Sequence, residues 1–385
     1  MSFDISYFAR TNARNRRIPF GIRQADRLSH IYIIGKTGVG KSTLIETLAR
    51  QDLKAGRGFA LIDPHGDLVE RVAEQASMEE QKQIAYLNAP DGAQPFGYNP
   101  LRKVRQDKIP LAVSGLLETF KKHWADAWGV RMEHVLRSTL YALLEQDEAT
   151  LPDILRLYAD ETYRKGVVRG IKNETVRRFW RHEFEHYHFR QKADAVAPIQ
   201  NKLGGLLSDP TLYRILVEPK VPLSFRTIMD EGKVLLVNLA KGRLGEDSST
   251  LLGALIVSTL GLAAFSRAET SIERRRPFFI YIDEFQSFTT LMLANMMSEL
   301  RKYGVGLTLA HQYMHQLEPD IRSAVVGNAG TLISFRVGAE DAPYLAREFQ
   351  PKIEVADLVN LPNHSIYLKL MIDGTPSRPF SARTL

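Results

Sequence analysis

The sequence contains no cysteine. Structural disulfides, thiol catalysis and Cys-ligated zinc or iron–sulfur sites are therefore excluded together. Tryptophan is scarce, at three residues, and no internal repeat or low-complexity run interrupts the chain. The opening residues, Met1–Asp4 and then Phe8-Ala9-Arg10, lack the apolar core of a secretory leader. Long hydrophobic runs are missing with one exception. Ser249–Phe265 reads STLLGALIVSTLGLAAF and has about the length of a membrane span. Ser249, Thr250, Gly253, Ser258, Thr259 and Gly261 dilute it and no second span accompanies it, so it reads as a core helix buried against a sheet.

What is present describes a globular protein. Of 385 residues, 44% are hydrophobic and 25% charged, which excludes a disordered or collagenous chain and leaves ample material for a core. The length suits two or three domains, or one core with a large insertion. Lys and Arg exceed Asp and Glu by 51 to 44, for a net charge of +7. That excess leans towards polyanionic partners without requiring them.

Hydrophobic spacing divides the chain into three parts: 1–106, 107–218 and 219–385. In the first, the apolar runs Ile31–Ile34 and Gly58–Ile62 flank a helical pattern through Leu44, Ile45, Leu48 and Ala49. Strand, helix and strand in that order predict a parallel sheet covered by helices. In the second, Leu111–Phe120, Met132–Leu144, Leu151–Tyr158 and Thr175–His186 repeat apolar residues every three to four positions. This predicts an all-α insertion. In the third, strand-like runs return at Val234–Asn238, Phe278–Ile282, Gly306–Ala310, Thr331–Phe335 and Ser365–Leu368. The fold class is α/β.

Gly35-Lys36-Thr37-Gly38-Val39-Gly40-Lys41-Ser42 fits G-x-x-x-x-G-K-S between a strand and a helix, the context a phosphate-binding loop requires. Its glycines let successive N–H groups wrap a phosphate, and the helix N-terminus adds positive character. Lys41 would neutralise β/γ oxygens, Ser42 would hold Mg²⁺, and Thr43 continues the cradle. A second metal contact and a group to orient water are still needed. The apolar strand Phe278–Ile282 supplies both at its end, with Asp283 for the metal and Glu284 to polarise water. Adjacent carboxylates point to ATP hydrolysis. Gln312, ending the next strand, can contact the γ-phosphate, unless it is an ordinary polar terminus. Arg301 closes a helix before the turn at Gly304. It can complete a neighbouring subunit's site as an arginine finger, or be a solvated cation at its own helix end.

These motifs, in this order, resemble the HerA/FtsK superfamily of RecA-like motor ATPases, and within it the conjugative DNA-transfer ATPases of type IV secretion. Leu61–Leu68 (LIDPHGDL), Tyr98–Leu101 and Gly327–Thr331 leading into Ser334-Phe335-Arg336 add to the likeness. The resemblance implies a RecA-like core with the all-α part inserted, and a ring, usually hexameric, that threads DNA without regard to sequence. It implies ATP and Mg²⁺ as cofactors, bound between subunits with Arg301 reaching across, and places Asp63 and His65 near the nucleotide. A relaxase, nuclease or secretion-system component is the expected partner. Family members generally begin with a membrane anchor, which the 34 residues before Gly35 leave no room for. A cytoplasmic protein recruited to the inner membrane by partners is expected. An ATPase that moves proteins, or a nucleotide-dependent scaffold, are the alternatives.

His182-Glu183-Phe184-Glu185-His186 fits the zinc-protease pattern H-E-x-x-H, but Glu185 is charged where such sites are not, and no third ligand follows. An amphipathic surface helix accounts for it better. Arg14-Asn15-Arg16-Arg17 can bind phosphate backbones or remain a solvated arm, whereas Arg274–Arg276 reads as an exposed loop.

Overall fold

The computed structural model describes residues 4–12 and 16–385. The strand-like apolar runs all become strands, and others that the hydrophobic spacing did not mark join them. In chain order these are β1 (Ile5–Thr11), β2 (Pro19–Arg23), β3 (Ile31–Ile34), β4 (Phe59–Asp63), β5 (Ile84–Asn88), β6 (Val234–Asn238), β7 (Phe278–Ile282), β8 (Val305–His311), β9 (Thr331–Ser334), β10 (Ser365–Lys369) and β11 (Phe380–Thr384). Among the described residues they form one eleven-stranded sheet, ordered β2-β1-β11-β10-β9-β3-β8-β7-β4-β6-β5. From β9 to β5 the strands run parallel. Every residue of β3, β4, β6, β7, β8 and β9 is buried, which is why these strands read as unbroken apolar runs. From β9 through β10, β11, β1 and β2 the pairing is antiparallel.

The chain forms two compact units. One consists of the residues up to Asn88, Phe225–Arg243 and Ala263–Leu385, and holds the sheet. Helix α1 (Lys41–Lys54) lays Leu44, Ile45, Leu48 and Ala49 in the same apolar cluster as Ile31, Ile33, Leu61 and Tyr281. Helix α2 (Asp67–Glu74) adds Leu68, Val69 and Val72.

The other unit consists of Ala89–Ser224 and Leu244–Leu262. Its main helices are α3 (Ile109–His123), α4 (Val130–Leu144), α5 (Leu151–Ala159), α6 (Glu161–Gly170), α7 (Phe189–Leu207) and most of α8 (Glu246–Ser266). It is larger than the 107–218 segment its helical spacing marked out. Residues 89–106 carry no helical period, yet backbone pairing ties them in. Phe96–Gly97 pairs with Val221–Pro222, Tyr98 N–H donates to Ile215 O at 2.8 Å, and Asn99 Nδ2 donates to Ala149 O at 2.6 Å.

Helix α8 is long and apolar enough to cross a membrane by composition, and 67% of its apolar window is buried inside the chain. The H-E-x-x-H residues do not lie on an α-helix. Phe179–Phe184 is a π-helical turn, with Phe179, Trp180 and Phe184 packed inward. Glu183 is engaged by His134 at 3.0 Å and by the Tyr187 hydroxyl at 2.6 Å. Among the described residues no three His, Asp or Glu side chains are grouped to hold a metal ion.

Candidate functional site at the C-terminal edge of the parallel strands

Residues 35–40 connect β3 to α1. Two glycines there are dictated by space. Gly40 has φ +114°, and a Cβ on it would lie 2.8 Å from His364 Nδ1; at Gly35 a Cβ would lie 2.6 Å from Cβ of Phe335. Gly35 and Lys36 donate their N–H groups to His311 O (3.3 Å) and Arg336 O (2.9 Å). The N–H groups of Thr37, Gly38, Val39 and Gly40 have no acceptor among the described residues. Unspent donors at the start of a fourteen-residue helix make a cradle for an anion. Lys41, 5% exposed, folds back so that Nζ donates to Gly35 O (2.7 Å) and Lys36 O (3.1 Å). Burial lowers its pKa, against the pull of Glu284 and Asp283.

The acidic pair follows β7. Ser42 Oγ donates to Asp283 Oδ2 at 2.7 Å, which brings the two expected metal ligands into contact. Burial pushes the Asp283 carboxyl up to about 6; the Ser42 hydroxyl and Lys41 oppose this, and Asp63 and Glu284 reinforce it. Glu284 is 8% exposed and left-handed, at φ +45° and ψ +48°. A non-glycine residue held there stores roughly 1–3 kcal/mol of strain, a cost found where geometry serves chemistry. Its carboxylate accepts from Gln286 Nε2 (2.7 Å) and Gln312 Nε2 (2.8 Å), and Gln312 Oε1 in turn accepts from the Thr37 hydroxyl (2.8 Å). Thr37, Gln312 and Glu284 thus link the loop to the acidic pair, the gap a γ-phosphate would occupy.

Arg301 is not part of this assembly. It lies in the turn Leu300–Tyr303, ahead of the first residue of β8, so it sits at the N-terminal edge of the parallel strands while the loop lies at the C-terminal edge. The strand between spans about 23 Å. Arg301 is exposed and faces His30, the residue before β3; burial lowers the His30 pKa to about 4 and the Arg301 charge adds to this.

Asp63 ends β4 and spends its carboxylate on main-chain N–H groups: His65 at 2.8 Å, and Leu68 and Val69 at the start of α2 at 2.8 and 3.3 Å. It shapes the turn after β4, and His65 itself is exposed. Three further contributors carry no motif. His364, at φ +64°, braces the loop by donating its N–H to Val39 O at 2.9 Å. Gln286 holds Glu284. Tyr32 bonds His311 directly beneath Gln312, and burial lowers the His311 pKa to about 3, keeping the ring neutral.

The orphan amides, Lys41, and the paired Ser42 hydroxyl and Asp283 carboxylate suit a polyphosphate and a hard divalent cation. The buried, raised Asp283 is a carboxyl that a cation would return to its charged form.

A phosphate loop after β3, an acidic pair after the second strand over and a glutamine at the end of the strand between them define a P-loop NTPase of the RecA-like class. More narrowly, the chain belongs to the family described as the type IV secretion-system coupling protein DNA-binding domain, which matches residues 16–349. Among solved structures, the unbound bacterial conjugative coupling protein TrwB is similar with a TM-score of 0.67 at 17% identity, over 96% of this chain and 86% of that one. The plasmid coupling protein TrwB in complex with ADP and Mg²⁺ gives 0.65 at 18% identity, over 96% and 88%. VirB4 of Thermoanaerobacter pseudethanolicus gives 0.64 at 14%, over 98% and 95%. At such identities the likeness is one of fold. No curated protein matches the sequence.

Proposed function

We propose that this chain is the ATP-hydrolysing subunit of a ring, most simply a hexamer, that moves DNA without regard to sequence. ATP would lie on the free N–H groups of residues 37–40, with Lys41 against the β/γ oxygens. Ser42 and Asp283 would hold Mg²⁺, which when bound neutralises charge on the phosphates. Glu284, held by Gln286 and Gln312, takes a proton from the attacking water as its oxygen bonds to the γ-phosphorus and the bond to ADP breaks. Gln312, released from Thr37, would contact the γ-phosphate before that bond breaks and lose the contact once phosphate leaves. The complex of a family relative with ADP and Mg²⁺ supports this choice of ligands.

The observation that carries the ring is the position of Arg301. It stands about a strand length from its own loop, exposed, at the opposite edge of the parallel strands. An arginine there cannot stabilise transition-state charge in its own site, but it can in an adjacent copy's. The family's description as a DNA-binding domain supports the choice of polymer.

Two measurements test the reading. ATPase activity should rise with the length of added DNA; indifference to DNA, with activation by a protein, would remove the DNA assignment. Arg301→Ala and Lys41→Ala should each be inactive alone and recover part of the activity when mixed, because an intact loop can then meet an intact arginine. No recovery at any ratio places Arg301 outside the chemistry.

A further inference from the structure

The sheet unit carries two arginine clusters that nucleotide chemistry does not use, and they differ in what their guanidiniums touch. Arg275 donates to Thr270 O (2.8 Å), Ala268 O (3.3 Å) and Lys302 O, and Arg276 donates to Glu231 O (2.7 Å). That cluster staples a loop to main-chain carbonyls. In the other, Arg10, Arg16, Arg17 and Arg383 line a depression of about 400 Å³ at the join of β1 and β11. Arg14 and Asn15 of the same sequence run lie outside the described residues.

None of these four guanidiniums bonds to a described residue, and no Asp or Glu side chain lines the depression. Arg10 and Arg383 are direct partners in the β1–β11 register. Cβ atoms so paired are about 5 Å apart, and like charges there repel unless a counter-charge lies between them. The backbone that carries Arg16 and Arg17 is fixed: the Thr11 hydroxyl donates to Arg16 O (2.7 Å) and accepts from Ile18 N–H (3.1 Å). Asn12 Oδ1 accepts from the Ser381 hydroxyl (2.8 Å), which leaves its NH₂ group as a further donor.

We propose that this arginine pocket is a docking site for the phosphodiester backbone of DNA. Guanidinium forks match phosphate oxygens in pairs, and the like-charged Arg10–Arg383 pair gains its counter-charge when a phosphate settles between them. No aromatic ring lines the depression to stack a base, so the grip is on the backbone and independent of sequence. The site rests on the DNA reading above and adds to it where the subunit holds its track.

The test uses the full chain, with Arg10→Gln/Arg383→Gln and Arg10→Lys/Arg383→Lys as double variants. Binding of labelled duplex and single-stranded DNA is followed by fluorescence anisotropy between about 50 and 200 mM salt. The Gln variant should bind at least tenfold more weakly at the low-salt end. Its log-affinity against log-salt slope should flatten by about 2, roughly 0.9 for each lost contact on duplex. The Lys variant should keep the wild-type slope and melting temperature, the Gln variant should melt no lower than wild type because it removes the like-charge pair, and DNA-free ATPase should be unchanged in both. Wild-type affinity and slope in the Gln variant overturn the site and leave the motor standing. Loss of binding to phosphatidylserine vesicles with DNA binding intact also overturns it, in favour of a membrane. A wild-type chain that binds no DNA at any salt removes the motor reading and this site with it.

Discussion

Helix α1 holds a buried charge cluster at each end, and the two are built to opposite purposes. At its N-terminus, Lys41 and Ser42 face Asp283 and Glu284. Eleven residues on, about 16 Å along the axis, Asp52 is completely buried. It accepts from both Arg27 Nη atoms at 2.7 Å, from Arg57 Nε at 2.7 Å and from the Tyr281 hydroxyl at 2.5 Å. The Arg27 guanidinium also lies 3.6 Å over the Phe279 ring. Burial alone would raise the Asp52 pKa, yet Arg27, Arg57 and Tyr281 hold it below the ordinary carboxylate value. Asp283 began from the same value and is pushed up to about 6. Strand β7 serves both clusters, through Tyr281 and through the residue after its end. The lesson is that burial does not distinguish a structural charge from a working one. The completeness of its partners does. Asp52 is bonded by two guanidiniums. Among the described residues, Asp283 accepts only from the Ser42 hydroxyl (2.7 Å) and the Glu284 N–H (3.0 Å). It faces two other carboxylates and has the Lys41 charge alone to oppose them, a deficit that an incoming cation would fill.

The sharpest way to separate the clusters is to remove one function at a time. Glu284→Gln should lower turnover by about 10²–10⁴-fold, the usual worth of a general base, while the melting temperature and ATP affinity hold. Steady-state ATPase assays and nucleotide titration read both; retained turnover would place the base elsewhere. Arg27→Met should do the reverse. Breaking a buried pair costs about 3–5 kcal/mol, so thermal unfolding should shift down by several degrees while ATP affinity of the folded protein is kept. A mild effect would mean that Arg57 and Tyr281 suffice for Asp52.

The smallest effect is the most diagnostic. Asp283 binds its proton more tightly folded than unfolded, so its ionisation costs stability as pH rises from about 4 to 6, by roughly 2–3 kcal/mol at the limit. Asp52, with its pKa lowered, works the other way: its contribution is present above the unfolded carboxylate pKa and disappears as pH falls. Melting curves against wild type should therefore give difference plots of opposite slope, for Asp283→Asn between about pH 4 and 6 and for Asp52→Asn below about pH 4, where its plot, flat at higher pH, begins to fall. Parallel plots would erase the distinction.

The legibility of the chain followed the same divide between local and distant causes. Parallel strands buried on both faces announce themselves as apolar runs, so β3, β4 and β6 to β9 could be read directly. Strands β1, β2 and β11 could not: ISYFART and FSART mix polar and apolar residues, because antiparallel strands are exposed on alternate positions. The loop, Asp283, Glu284 and Gln312 were legible because each ends a readable strand. His364, Gln286 and the Tyr32–His311 pair were not, since each acts through a hydrogen bond to a residue that is remote or carries no signature. The extent of the helical unit was missed where two-residue strand pairings, rather than helical spacing, attach residues 89–106.

Strand β8 carries Arg301 just ahead of its first residue and Gln312 just after its last, and all seven of its residues are buried between β3 and β7. A rod clamped on both sides neither stretches nor bends, so its ends shift together. In the ring proposed above, a Gln312 displaced by phosphate departure would push the same strand's Arg301 towards or away from the adjacent copy's nucleotide. Turnover would then pass around the circle as a relay, one station priming the next.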